Sequence, residues 1–225
     1  MLLQIANALT PTLLKECQLL GTEDALFADG RSTAGWHARE RKHNLQARAE
    51  PRVAGVLKQV EMALIRHELV IAAARPKQIV RLLFSRYDEG MHYGTHVDDA
   101  LMDGQRTDLS FTVFVSPPEA YDGGSLVIDE PGADRAFRLG AGEMLLYPSA
   151  SLHRVEPVTR GSRLVLVGWI RSYLRSAEAR EILFDLERTI AILRAQQGPD
   201  QRELPAELEL LLKTRSNLLR MWAED

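Results

Sequence analysis

Three side chains that can bind a metal and one arginine stand out in this chain: His96, Asp98, His153 and Arg163. Two histidines and one carboxylate can occupy one face of an octahedral iron ion and leave the opposite face open for substrate and O₂. An arginine can grip one carboxylate of a dicarboxylate cosubstrate through two parallel hydrogen bonds. Together these residues predict an Fe(II) oxygenase that uses 2-oxoglutarate as its cosubstrate.

The spacing of His96 and Asp98, two residues apart, suits a β-strand. Alternate side chains of a strand point to the same side, so both can reach one metal ion. On a helix they would point about 200° apart. Gly90 and Gly94 flank the pair and disfavour a helix. His153 lies in a short stretch of alternating apolar and polar residues, which is typical of a half-buried strand.

Each of these signals is weak when taken alone, because His-x-Asp pairs and single histidines are common without a metal. A rival pair, His92 and His96, would suggest zinc if the segment were helical. Zinc bound by cysteines is excluded, since Cys17 is the only cysteine. His92 and Tyr93 are interpreted either as residues of the pocket wall, near the metal ligands, or as plain structural residues.

Arg163 belongs to a second β-rich segment. Strand alternation places it on the same face as Val165, Val167 and Trp169, in an apolar interior. A buried cation is costly unless it is paired, and the distal carboxylate of 2-oxoglutarate would be a suitable partner. Arg160, in the preceding turn, fits a surface arginine better than Arg163 does.

Further polar residues could line the same site. Tyr87 precedes the segment of His96, and its hydroxyl could donate a hydrogen bond to the cosubstrate. Lys42, Asn44 and Gln46 would share one face of a strand. They are interpreted either as a solvated edge or as a polar wall at the mouth of the site.

The segment from Ile79 to about Arg171 has the pattern of short strands separated by glycine and proline turns. The predicted strands cover residues 79–84, 109–115, 126–128, 144–147 and 164–170. This pattern predicts an α+β protein with a mainly β core, folded as a double-stranded β-helix (a jelly-roll or cupin-like fold). The two sheets of such a fold leave an open mouth where a metal can sit.

Helical patterns flank this core. Thr10-Pro11 and Glu50-Pro51 each predict the start of a supporting helix, the first ending near Leu20 and the second near residue 68. The second helix carries an apolar stripe of Val53, Val56, Leu57, Val60 and Leu64. After Ser176 the pattern predicts a helical hairpin, broken at Gly198-Pro199 and resumed at Pro205. Its apolar positions are Ile182, Leu183, Leu186, Ile190, Leu193, Leu208, Leu211, Leu212, Leu219 and Trp222.

The length of 225 residues suits one domain with an appendage. The predicted division is a dioxygenase domain over residues 1–175, with its core at about 78–175, and a C-terminal helical extension over 176–225. With 45% hydrophobic residues, the chain can bury a proper core. The C-terminal helices are expected to pack on their own domain, and they also allow a homo-oligomer.

Composition also bounds the partners and the location. A net charge of −3 and a pI near 6.1 predict no nucleic-acid or membrane partner. No apolar run approaches the roughly 20 residues needed to cross a bilayer, and the first twenty residues lack the basic leader of a signal peptide. The single cysteine, Cys17, fits a reducing compartment and is expected to be buried. These features predict a cytoplasmic protein.

Longer motifs surround the candidate ligands: RYDEGMHYGTHVDDA (86–100), TDLSFTVFV (107–115), YDGGSL (121–126), GEMLLYPS (142–149) and SLHRVEPVTRGSR (151–163). They resemble the motifs of the PKHD-type hydroxylases, bacterial relatives of the prolyl 4-hydroxylase catalytic domain. The resemblance covers most of the chain. Ser85 and Ser125 stand where family members commonly carry Asn and Glu, and neither position is a ligand.

The resemblance implies iron ligands at His96, Asp98 and His153, 2-oxoglutarate binding at Arg163, and L-ascorbate as an auxiliary reductant. It implies O₂-dependent hydroxylation of a substrate, with conversion of 2-oxoglutarate to succinate and CO₂. The substrate, a small molecule or a peptide, stays open, because fold and iron chemistry transfer more readily than specificity. A link with iron acquisition is a hypothesis from the family.

Two alternative functions stay open at this point. One is a non-catalytic, cupin-like binding module that senses iron, oxygen or 2-oxoglutarate. The other is a metal cupin that catalyses a non-oxidative reaction. Arg163 speaks against both, because neither needs a cosubstrate anchor beside an open metal face.

Overall fold

A computed structural model of the chain describes residues 1–33, 39–197 and 204–224. Its α-helices are α1 (Pro11–Gly21), α2 (Pro51–Arg66), α3 (Glu68–Ala74), α4 (Ala177–Ala195) and α5 (Ala206–Trp222). Its strands are β1 (Leu3–Ile5), β2 (Phe27–Asp29), β3 (Lys42–His43), β4 (Leu45–Ala47), β5 (Pro76–Tyr87), β6 (His92–His96), β7 (Leu101–Met102), β8 (Gln105–Arg106), β9 (Leu109–Phe114), β10 (Tyr121–Gly123), β11 (Leu126–Glu130), β12 (Ala133–Phe137), β13 (Met144–Pro148), β14 (His153–Val155), β15 (Val158–Gly161) and β16 (Arg163–Ser172).

Two antiparallel sheets form the body of the molecule. The larger sheet has seven strands in the order β1-β13-β9-β16-β5-β4-β2, and the smaller has five in the order β12-β11-β14-β6-β3. Two short ladders, β10–β15 and β7–β8, complete the described strands. This arrangement confirms the predicted jelly-roll core, and the five predicted strands all lie within or across observed ones.

Strand alternation divides the side chains of the larger sheet between two apolar clusters. On β16, Leu164 and Leu166 belong to the cluster that also contains residues of α1 to α4, whereas Val165 belongs to the cluster between the sheets. The layers are therefore helices, larger sheet and smaller sheet. The candidate site residues on β16 point into the space between the two sheets.

The supporting helices form for the reasons that the sequence indicates. Pro11 occupies the first turn of α1, and the Thr10 hydroxyl caps it by accepting a hydrogen bond from the Leu13 amide (3.3 Å). The predicted stripe of α2 is confirmed, since Val53, Val56, Val60 and Leu64 are buried and Leu57 packs against them. The chain then turns at His67 into α3, a short helix that was not predicted.

The C-terminal helices begin where expected, α4 after a Ser176 cap and α5 after Pro205. The predicted break at Gly198-Pro199 lies outside the described residues. The apolar positions that mark the first of these helices lie within α4, but they do not all face inward: Ile182 is 51% exposed, whereas Leu183 and Phe184 are buried. The reason is geometric, because Leu183 sets the buried face and its immediate neighbour Ile182 is turned about 100° away.

Partly buried ion pairs connect the C-terminal helices with each other and with the rest of the domain. Glu187 on α4 contacts Arg75, at the end of α3, at 2.6 Å, and Arg215 on α5 at 3.4 Å. In the described part of the chain, no helix combines the length and apolarity needed to span a bilayer.

Two glycines offer a test of how tightly the larger sheet is packed. A Cβ atom on Gly168 in β16 would overlap the ring of Phe111 and lie 2.9 Å from the carbonyl oxygen of Arg81. Gly168→Ala should therefore lower the free energy of unfolding by about 1–3 kcal/mol. Gly55→Ala is the control, since nothing lies within 4 Å in α2 and alanine should raise stability by up to about 1 kcal/mol. Urea denaturation measures both, and equal effects would contradict the packing described.

Candidate metal centre and pocket

The pairing of β14 with β6 brings the two candidate histidines together. His153 lies directly opposite His96 in the ladder, and the ring centroids are 4.2 Å apart. Asp98 follows the end of β6, with its carboxylate 4.0 Å from Nε2 of His96 and 3.8 Å from Nε2 of His153. One nitrogen or oxygen atom from each residue lies within 4.8 Å of the others, so the three side chains can hold one metal ion.

A bulge in the same ladder places an aromatic ring over the centre. His153 pairs with His96 but Val155 pairs with Tyr93, so the β6 side contains one extra residue. Simple alternation would put Tyr93 and His96 on opposite faces. The bulge puts them on the same face, where the Tyr93 ring stacks on the His96 ring at 3.7 Å and 17°.

Backbone carbonyls fix which nitrogen of each histidine faces the centre. Nδ1 of His96 lies 2.9 Å from the carbonyl oxygen of Gly94, and Nδ1 of His153 lies 3.0 Å from that of Ser151. A carbonyl only accepts, so Nδ1 must donate its proton there. Nε2 of each ring is then left with a free lone pair, which is the form that binds a metal.

Serine hydroxyls hold the carboxylate of Asp98. Ser110 on β9 donates a hydrogen bond to Oδ2 of Asp98 at 2.6 Å, and its oxygen lies 2.8 Å from that of Ser149. Both serines are buried. This contact was not predicted from the sequence. The signal was the polar alternation of Ser110 and Thr112 within an otherwise apolar strand, which marks a polar inner face.

Burial keeps His96 in the protonation state that metal binding needs. Burial, helped by the neighbouring His153, lowers the pKa of His96 to about 4, although Asp98 acts in the opposite direction. The imidazole is therefore neutral at neutral pH. Burial likewise lowers the pKa of Lys42 to about 8, and its ammonium lies 5.4 Å from the centroid of the Tyr93 ring.

Arg163 is a buried cation whose guanidinium meets no anion among the described residues. It is 1% exposed, and Nε, Nη1 and Nη2 have no hydrogen-bond partner in the described part of the chain. The rings of Tyr87 and Phe114 lie 5.1 and 5.4 Å from the guanidinium carbon. Gly124 leaves it room, because a Cβ there would come within 3.0 Å of Cδ of Arg163. Such an arrangement costs free energy unless a ligand supplies acceptors.

A pocket between the sheets, about 800 Å³ including its open mouth, joins these groups. Its lining includes the metal-binding group, Arg163 and Tyr87, as predicted, together with Lys42, Arg81, Tyr93, Ser110, Tyr147 and Trp169. Lys42, Asn44 and Gln46 are all buried, so the solvated-edge interpretation is wrong. His92 does not line the pocket and packs against His43 with ring centroids 5.8 Å apart, which favours its structural interpretation.

Comparison with known families and proteins agrees with this geometry. Residues 82–171 match the 2OG-Fe(II) oxygenase superfamily, and residues 178–224 match the PKHD-type hydroxylase C-terminal domain. A PKHD-type hydroxylase of Maricaulis maris is 50% identical over 199 residues, which cover 88% of this chain and 89% of that protein. One of Picosynechococcus sp. is 46% identical over 225 residues and the full length of both chains.

Solved structures show the same fold. A Pseudomonas putida prolyl-4-hydroxylase superposes with a TM-score of 0.52 at 22% identity, over 76% of this chain and 92% of that one. A prolyl hydroxylase of Trichoplax adhaerens, solved with a hypoxia inducible factor peptide fragment, gives 0.54 at 13% identity, over 81% and 86%.

The fold and the His–Asp–His group define a jelly-roll oxygenase of the 2OG-Fe(II) class. Within that class, the chain belongs to the PKHD-type hydroxylase family. It is accordingly a 2-oxoglutarate-dependent hydroxylase, an iron-binding oxidoreductase of the dioxygenase type.

The contact between Ser110 and Asp98 generates a prediction about metal affinity. Ser110→Ala should weaken binding of a divalent metal by about 10- to 100-fold, because the hydrogen bond that holds the Asp98 carboxylate is lost. Anaerobic calorimetric titration with Fe(II) or Co(II) measures this. Ser85→Ala is the matched control, since this buried pocket serine donates to Gln46 at 3.2 Å and not to Asp98. Equal affinity in wild type and Ser110→Ala would refute the role of Ser110.

Proposed function

We propose that His96, Asp98 and His153 hold the Fe(II) ion of this hydroxylase and that Arg163 binds the distal carboxylate of 2-oxoglutarate. The observation that carries this proposal is the fully buried guanidinium of Arg163, which has no acceptor among the described residues. A planar fork of N–H donors matches a carboxylate with two parallel hydrogen bonds. An anionic cosubstrate in the pocket would compensate the cost of burying this charge.

The other residues fit the same groups. Two imidazoles and one carboxylate are the donor set expected for the Fe(II) of an oxygenase, and such a set would leave room on the metal for further ligands. The Tyr87 ring lies against the guanidinium of Arg163, at the end of the pocket where the distal carboxylate would bind. We assign the Tyr87 hydroxyl as a second hydrogen-bond donor to that carboxylate.

When bound, Fe(II) supplies the redox chemistry that couples O₂ to oxidation of 2-oxoglutarate to succinate and CO₂ and to hydroxylation of a substrate C–H bond. The chain supplies orientation and a dry site. Hydrogen bonds to the carbonyls of Gly94 and Ser151 orient the two histidine rings so that Nε2 faces the centre. The hydrogen bond from Ser110 orients the Asp98 carboxylate. The rings of Tyr87 and Phe114 keep water from Arg163, which strengthens its hydrogen bonds to a bound anion.

The substrate of this hydroxylase is a small molecule or a peptide. The Trichoplax prolyl hydroxylase was solved with a peptide fragment, which supports a peptide as one of the two candidates. L-ascorbate as auxiliary reductant and a role in iron acquisition follow from the family resemblance and complete the proposal. A non-catalytic sensor is the second candidate; membership among hydroxylases and the complete set of ligands speak against it.

The organisation of the chain is part of the proposal. Residues 1–175 form the catalytic domain and residues 176–225 a helical extension. Exposed apolar side chains on that extension, Leu210 (61%) and Met221 (73%), support a homo-oligomer, which analytical ultracentrifugation would test. The single, buried Cys17 and the net charge of −3 support a cytoplasmic protein without a nucleic-acid partner.

The role of Arg163 is tested by anaerobic titration of the Fe(II)-loaded protein with 2-oxoglutarate, followed through the weak visible charge-transfer band of the chelate. Arg163→Met keeps most of the volume and should weaken 2-oxoglutarate binding about 100-fold, because two charge-assisted hydrogen bonds of about 1.5 kcal/mol each are lost. Without 2-oxoglutarate the variant should unfold at the same or a higher temperature than wild type, since an unpaired buried cation is removed.

The control for this titration is Arg160→Met, three residues away. Arg160 is 61% exposed and pairs with Asp122, so its loss should leave 2-oxoglutarate binding unchanged. No band in the wild-type protein with iron verifiably bound would mean that the cosubstrate assignment is wrong. A non-catalytic sensor or a non-oxidative metal cupin would then be the better-supported function.

The assignment of Asp98 makes a separate prediction. Asp98→Ala should weaken Fe(II) binding by more than the 10- to 100-fold typical of an outer hydrogen bond, and 2-oxoglutarate turnover to succinate should be lost. Asp129→Ala removes an exposed carboxylate on β11 and should change neither quantity. Succinate formation at the wild-type rate by metal-replete Asp98→Ala protein would exclude Asp98 as a ligand.

A further inference from the structure

One row of side chains crosses the larger sheet at the level of the metal-binding group. Trp169 on β16 lies opposite Ser110 on β9 and opposite Arg81 on β5. Directly opposite residues of a sheet share a face and lie about 5 Å apart at Cβ. All three line the pocket. Since Ser110 contacts Asp98, the row runs from the metal-binding group through Trp169 to Arg81.

Trp169 contributes a hydrogen-bond donor to this row. Its indole Nε1 is buried and has no partner in the described part of the chain. Leaving a buried donor unsatisfied costs about 1–3 kcal/mol, so native structures rarely keep one without a reason. On the wall of a pocket, the simplest reason is an acceptor on a bound ligand.

Arg81 contributes a cation at the far end of the row. Its Nη2 donates to both carboxylate oxygens of Asp103 at 2.8 Å. Within the described residues, no hydrogen bond occupies its Nε and Nη1. Asp103 is 63% exposed and lies in the turn between β7 and β8. Arg81 therefore keeps donors for a second acceptor, and its present acceptor is a carboxylate that solvent or a ligand can replace.

This donor pair is separate from the proposed site for the distal carboxylate. Trp169 is six residues from Arg163 on the same strand, which corresponds to about 20 Å between Cα atoms. The carboxylate that Arg163 binds is therefore a different group from any acceptor at Trp169 and Arg81. Trp169 lies opposite Ser110, which contacts Asp98, and its other cross-strand neighbour, Arg81, contacts Asp103 in the hairpin of β7 and β8.

We propose that Arg81 and Trp169 form a subsite for an oxyanion, a carboxylate or a group of the same chemistry, on the molecule that this enzyme hydroxylates. The inference rests on the proposed function, because it assumes that the reacting C–H bond lies at the group of His96, Asp98 and His153. It narrows the substrate class to acidic compounds, including peptides with an acidic side chain or a free carboxyl end. The substrate carboxylate takes a guanidinium edge of Arg81 and the indole N–H of Trp169.

The subsite is tested by NMR of the Trp169 indole proton in ¹⁵N-tryptophan-labelled protein loaded with Zn(II) and saturated with 2-oxoglutarate. The chain has three tryptophans, so substitution of each by Phe assigns the signals. The probe is N-acetylglycine, and its neutral isostere N-acetylglycinamide is the matched control. The carboxylate should move the Trp169 signal downfield in a saturable way, with at least about tenfold tighter binding than the amide.

Variants of the row separate recognition from structural support. Arg81→Gln should weaken the probe by at least about tenfold. Asp103→Asn should tighten it by up to about fivefold, because the competing carboxylate is removed. If Arg81 and Asp103 only fasten the hairpin, Asp103→Asn should instead weaken the probe. Arg171→Gln, which removes the hairpin contact to Gln105 (2.6 Å), should leave probe binding unchanged.

Two results would overturn the subsite. One is a Trp169 signal that does not respond to N-acetylglycine, or responds equally to the amide. The other is a full shift of the Trp169 signal on addition of 2-oxoglutarate alone, with no further effect of the probe. That result would mean that the indole N–H binds the cosubstrate. Neither result would contradict the proposed function, because that function is tested separately by the charge-transfer band of the 2-oxoglutarate chelate and its dependence on Arg163.

Discussion

The antiparallel pairing of β14 with β6 is the constraint on which the site depends. It sets His153 opposite His96, and its bulge turns Tyr93 onto the same face. A slip of one residue would turn the histidine side chains of one strand to the other side of the sheet. The register is held by apolar side chains such as Ile128 and Val155, which are buried between the sheets. The positions of the side chains at the centre therefore depend on the packing of this small sheet.

At the His96–His153 pair, the packing that stabilises the fold also supports the site. At Arg163, by contrast, the residue that serves the site lowers the stability of the fold. Its neighbours are aromatic rings, and its donors meet no acceptor among the described residues. A fold optimised for stability alone would place an apolar residue there. The surrounding sheet absorbs this cost because β16 is the most extensively paired strand, bonded to β5 along its length and to β9. A rigid frame can thus hold a cation ready for a ligand.

The sequence was sufficient for the jelly roll, the flanking helices and the residues that meet at the centre, because each rests on periodicity or residue chemistry. The sequence was not sufficient to predict on which face of β6 the Tyr93 side chain lies, because a bulge breaks the alternation from which that direction would be inferred. The alternation of Ser110 and Thr112 marks a polar inner face of β9, but it does not identify Asp98 as the partner of Ser110, because that contact depends on packing between strands. The exposure of Ile182 was not predictable either, because adjacent apolar residues leave the exact direction of the buried helix face undecided.

The larger sheet gives the pocket two polar ends at a fixed distance. β16 carries Arg163 at one end and Trp169 at the other, with Val165 and Val167 between them on the same face. Because strand geometry fixes this spacing, a ligand at one end cannot displace a ligand at the other by small movements. Substitutions around Trp169 and Arg81 can then alter which acid is bound without disturbing Arg163. A jelly-roll sheet of this kind can therefore keep one end of its pocket unchanged while the residues at the other end vary.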